Sequence, residues 1–147
     1  VAERHRVARL HVHVLAGDNC VARARSVDGL RTDAFTLVAE VIEVKTKPAL
    51  PWGDLAQGAF GTPPPRRGGD LVRQAIVALG RQDADAQGLE PPDGVTILGM
   101  SSDHLVLDVG DHDATVGAEL AFGLGYGALP RAATSPFVMK ELGPDRS

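Results

Sequence analysis

The densest grouping of reactive side chains in this 147-residue sequence is Ser101-Ser102-Asp103-His104. Two hydroxyls, a carboxylate and an imidazole in a row can hold a polar ligand or move protons. Spacing alone leaves two readings open: a hydrogen-bonded polar connection that ties two strands together, or part of a site. Ser102, His104 and Asp108 assemble on paper into a serine–histidine–acid triad. Ser102 and His104 are near neighbours on an extended chain, however, and His104 to Asp108 spans about 13 Å along a strand, which argues against it. His11 and His13 fall on one side of an alternating stretch, about 7 Å apart. With Cys20 they suggest a metal, but a third or fourth ligand at fixed spacing is missing.

The residues around the polar grouping must position it. In VTILGMSSDHLVLDV (95–109), apolar side chains alternate on both sides of the serines, so two strands flank a turn. FTLVAEVIEVKTK (35–47) alternates too, with Leu37, Ala39, Val41 and Glu43 on one side. A glutamate in an otherwise apolar row predicts a bend or a bulge. Pro48 and Pro51 stop that strand. LHVHVLAG (10–17), LVRQAIVALG (71–80), Gly117 to Tyr126 and PFVMKEL (136–142) read as further strands. RQDADAQGLEPPDG and VGDHDATV are polar turns, and GALPRAATS is a short linker or helical turn. Residues 48–69, rich in Pro and Gly, form a long irregular loop. The expected fold is all-β: a small barrel or sandwich of about six strands with long loops.

Composition narrows the function classes. The 15 basic and 19 acidic residues leave a net charge of −4, which offers no footprint for nucleic acid. No apolar run approaches the length of a membrane span. One cysteine excludes an internal disulfide and suits the cytoplasm.

From Asp33 to Leu142 the chain resembles the C-terminal β domain of the alanine/ornithine racemase family, enzymes that depend on pyridoxal phosphate (PLP). The carrying segments are DAFTLVAEVIEVKTKP (33–48), GAFG (58–61), ALGRQD (78–83), ILGMSSDHLVLDV (97–109), Gly117 and LGYGALPRAATSPFV (124–138), in the family's order. Residues 1–30, basic and arginine-rich, do not join the resemblance and form a divergent segment. Residues 31–143 form the domain, and 144–147 a frayed tail. A first residue of valine and the lack of a barrel suggest an incomplete product.

The resemblance implies a two-part enzyme. A PLP-holding barrel, absent here, would have its active site covered by this β domain, in the same subunit or in the partner of a homodimer. Family motifs map Asp103 to a group facing the amino-acid substrate and Ser102 to the mouth of the site. Arg81 and Asp83 fall in a substrate-binding segment. Thr134 and Ser135 fall where a tyrosine holds the cofactor phosphate. Phe60 occupies the slot of a catalytic tyrosine and has no hydroxyl, so Asp103 or His104 would be the second proton-transfer group. A substrate with a distal ammonium, such as ornithine or lysine, would want a carboxylate at the rim, from Asp83, Asp85 or Asp103. Lys45, Lys47 and Lys140 are the chain's lysines, and none stands where the family puts the cofactor lysine. The rival expectation is a stand-alone, non-catalytic β-barrel binding module.

Overall fold

The computed structural model describes residues 8–13, 34–48 and 71–143. Cys20, Phe60, the loop expected to follow Pro48 and the tail at 144–147 lie outside the described residues, as does the side chain of His13. The strands are β1 (Ala8–His13), β2 (Phe35–Pro48), β3 (Leu71–Val77), β4 (Leu89–Glu90), β5 (Thr96–Met100), β6 (Leu105–Asp108), β7 (Glu119–Leu124) and β8 (Val138–Gly143). Among the described residues, one helix, α1 (Ala128–Thr134), precedes β8, and a single 3-10 turn at Ala86–Gly88 precedes β4. The fold is therefore all-β, with more strands than the alternation suggested. β4 is two residues long, too short to carry a period.

β2 organises the sheet. Its first half pairs antiparallel with β7 and with β1, and its second half pairs with β3. β3 continues to β6 and β6 to β5, all antiparallel. β8 joins the other end by running parallel to β1. The sheet thereby curls into a half-barrel around a core of alternate side chains: Leu37, Ala39 and Val41 of β2, Ala75 and Val77 of β3, Leu105 and Leu107 of β6, and Leu120, Phe122 and Leu124 of β7. Each large apolar side chain buried in this way contributes about 1.5–3 kcal/mol.

The bulge expected in β2 falls between Val41 and Glu43. Without it, Glu43 would follow Val41 into the core and lose its hydration. The register shift sets Val41 opposite Val77 and Val44 opposite Ala75, so apolar side chains meet on both sides of the break. Glu43 is left beside Lys45, 2.8 Å away, and Lys47, 3.9 Å away. The β5–β6 hairpin has its own irregularity between Ile97 and Gly99, and its turn presents Ser101 to His104.

Candidate functional site

Three segments distant in sequence meet at one end of the half-barrel: Gly80–Asp83 after β3, Ser101–His104 between β5 and β6, and Arg131–Ser135 at the end of α1. The first two lie backbone against backbone. Arg81 N donates to Ser101 O at 3.0 Å, and Gln82 N donates to Ser102 O at 3.3 Å. A Cβ at Gly80 would sit 1.9 Å from the Ser102 carbonyl oxygen, so only glycine allows this approach. The third segment is tied on by side chains. Arg131 Nη1 donates to Arg81 O at 2.7 Å, and Ser135 Oγ donates to Asp83 Oδ1 at 2.8 Å.

Asp83 and Ser135 are the buried polar residues among those described, at 5% and 4% exposure. The other Asp83 oxygen accepts from Gly80 N at 3.2 Å, and Ser135 Oγ accepts from Phe137 N at 3.1 Å. Lys140 Nζ donates to Ser135 O. A buried carboxylate left without partners would be costly, and here each oxygen has one. This geometry bears on the cofactor expectation. A phosphate at Ser135 would meet the Asp83 carboxylate and would have to take the hydroxyl that Asp83 uses. The Thr134 hydroxyl donates back to Pro130 O at 2.9 Å within α1. The Ser135 hydroxyl, committed to a buried carboxylate, does not suit a cofactor phosphate, whereas Thr134 is exposed.

At the turn, Asp103 is half-buried and accepts at both oxygens. Gln82 Nε2 donates to Oδ1 at 2.8 Å, and Ser102 Oγ donates to Oδ2 at 3.0 Å. Ser101 caps the turn, because its Oγ accepts from His104 N at 3.0 Å and its N donates to His104 O at 2.8 Å. His104 therefore fixes the turn through its backbone, and the residue is half-buried. Of the three carboxylates considered for a substrate ammonium, Asp83 is enclosed, while Asp85 and Asp103 are half-buried. Asp85 accepts from Gln87 N at 3.3 Å and lines an open cleft of about 440 Å³ with Gln87, Gly88, Glu90, Gly125, Tyr126 and Gly127.

The sequence grouped Arg81, Asp83, Ser102, Asp103, His104, Thr134 and Ser135, and the fold brings their segments together. It did not single out Gln82 or Arg131. Gln82 stands inside the segment already noted, but its amide had no partner until the turns met. Arg131 lay in a stretch read as a short linker or helical turn, which forms α1. The serine–histidine–acid triad does not assemble. Ser102 turns to Asp103, and Asp108, whose Oδ1 accepts from Gly110 N, lies at the far end of β6 from His104. His11 Nδ1 lies 3.5 Å from Glu141, and no group of three metal-ligating side chains forms among the described residues. No helix among them is long and apolar enough to cross a membrane.

A curled β domain with a polar joint at one end is the class that fold and site define. Its sequence is 40% identical over 124 residues to the ornithine racemase of Acetoanaerobium sticklandii, covering 82% of this chain and 35% of that one. It is 44% identical over 122 residues to the lysine racemase of Thermotoga maritima, covering 82% of this chain and 34% of that one. The chain belongs to the alanine/ornithine racemase family, as a C-terminal β domain. It spans about a third of the length of these curated relatives. The alanine racemase structure from Acinetobacter baumannii is similar at a TM-score of 0.45 and 15% identity, over 75% of this chain and 35% of that one. No family model matches the sequence.

Proposed function

We propose that this chain is the C-terminal domain of a PLP-dependent racemase acting on amino acids with a distal ammonium, the ornithine and lysine class. It would cover the active site of a barrel domain belonging to the same subunit or to the partner in a homodimer. The observation that carries this reading is the 40–44% identity to an ornithine and a lysine racemase over most of the chain. Phe137, 62% exposed and two residues beyond Ser135, gives the joint an apolar flank suited to being covered.

Racemisation removes a proton from Cα on one face and returns one on the other, which needs two proton-transfer groups on opposite faces. In this reading the barrel provides the first. Asp103 provides either the second or the carboxylate that receives the distal ammonium, and His104 is the next candidate for the proton. Ser102 lines the mouth beside Asp103, and Arg81, whose backbone joins that turn, is a further substrate-binding candidate. Asp83 and Ser135 act by holding the segments in place. No step is assigned to a phosphate contact from this domain, because the Ser135 hydroxyl is already given to the Asp83 carboxylate.

The test is racemisation of ornithine, lysine and alanine by the complete enzyme, this domain joined to its barrel, followed by chiral chromatography. Turnover of ornithine or lysine with a clear preference over alanine is expected. An enzyme that racemises no amino acid would sink the proposal.

A further inference from the structure

We propose that Gln82 is a positioning residue for Asp103, an inference that rests on the reading that Asp103 faces the substrate. The docking of the Gly80–Asp83 segment onto the hairpin turn is already accomplished by backbone. Arg81 N and Gln82 N bond to Ser101 O and Ser102 O, and Gly80 lies against Ser102. The Gln82 side chain is exposed and is not needed for that contact. It nevertheless reaches from one segment to the other, with Nε2 donating to Asp103 Oδ1 at 2.8 Å.

Ser102 Oγ holds the opposite oxygen at 3.0 Å. A carboxylate has about four acceptor positions, so one donor on each oxygen sets its direction without filling it. The remaining lone pairs of Asp103 can accept a substrate ammonium or take up a proton. Ser102, the adjacent residue, shares the backbone of Asp103 and moves with it. Gln82 stands on a different segment, so its amide is the group that ties the carboxylate to the rest of the joint. Misplacement of a reacting group by about 1 Å can cost on the order of 10²-fold in rate, which gives such a tether its effect.

The experiment uses the complete enzyme and compares Asp103→Asn, Gln82→Ala, Gln82→Glu and Gln82→Lys, together with the double variant Asp103→Asn/Gln82→Ala. Gln82→Ala should change the same constant, kcat or KM, that Asp103→Asn changes, by a smaller factor of about tenfold, the scale of a lost hydrogen bond to a charged group. Gln82→Glu keeps the shape, removes the donor and places a second charge at Asp103, so it should fall at least as far. Gln82→Lys keeps a donor but sets a competing ammonium at Asp103, so it should raise KM for ornithine or lysine if Asp103 receives the distal ammonium. The double variant should be no worse than Asp103→Asn alone. The melting temperature should not move in any of the Gln82 variants. As a readout apart from activity, the side-chain amide signal of Gln82 in the same enzyme, labelled with ¹⁵N-glutamine, should shift in Asp103→Asn.

Impaired Asp103→Asn beside an unimpaired Gln82→Ala overturns the role of Gln82 and leaves the assignment of Asp103 intact. A Gln82 amide signal indifferent to Asp103→Asn also overturns it. An Asp103→Asn enzyme with normal kinetics overturns the assignment of Asp103 itself, and the positioning role with it.

Discussion

Ser135 Oγ donates to Asp83 Oδ1 at 2.8 Å, and both side chains are buried, although 52 residues separate them. This bond fastens the end of α1 to the segment after β3. Ser135→Ala would strand one oxygen of a buried carboxylate. The expected loss of stability is about 1–3 kcal/mol, seen as a lower urea midpoint with an unchanged slope. A midpoint equal to that of the parent would show that the pair contributes nothing.

Gly80→Ala tests the close approach of the two turns. The added methyl would meet the Ser102 carbonyl oxygen at 1.9 Å, and the atoms it meets are backbone, so the segments must move apart. A destabilisation of about 1–3 kcal/mol is expected, as for overpacked sites. Exchange protection at the amides of Arg81 and Gln82, which bond across this contact, should fall with it. Retained protection there would contradict the geometry.

Asp103→Asn preserves shape and removes charge. In the complete enzyme, racemisation should fall by roughly 10²-fold if Asp103 transfers a proton. If instead it binds the ammonium, KM for ornithine or lysine should rise while kcat holds. In both cases the melting temperature should stay close to that of the parent. A loss of stability with normal turnover in the folded fraction would make Asp103 a turn residue and leave His104 as the next to test.

The outer face of β2 gives a pH prediction. The Lys45 ammonium, hydrogen-bonded to Glu43, holds that carboxyl below its ordinary value, and the charge of Lys47 adds to the effect. A carboxyl whose folded pKa is depressed stabilises the fold above its unfolded pKa, and that contribution is lost as pH falls through the folded pKa. Glu43 keeps 34% of its side chain exposed, and solvent screens the pair, so the effect is read in its titration rather than in the stability of the domain. In a ¹³C-detected titration, Lys45→Met should move the Glu43 midpoint upward. An unmoved midpoint would show that the pair does not form in solution.

The sequence by itself determined where most strands lie and which side of each faces inward. Alternation is a local property, and burial of one face enforces it, so Leu37-Ala39-Val41 and Leu120-Phe122-Leu124 announced the core directly. Glu43 in the apolar row announced the bulge for the same reason, since a carboxylate cannot follow Val41 inward. The family was legible in motifs such as ALGRQD and ILGMSSDHLVLDV, whose order does not depend on folding. The two residues of β4 and the parallel pairing of β8 with β1 were not legible, because neither leaves a periodic trace. Only the tertiary structure decided which polar groups meet. The partners of Asp83, Gln82 and Arg81 lie 52, 21 and 50 residues away. A hydrogen bond of that reach depends on strand register, on the curl of the sheet and on the absence of a side chain at Gly80. The same carboxylate type is accordingly enclosed at Asp83 and open at Asp103, a difference set by what the fold places against each.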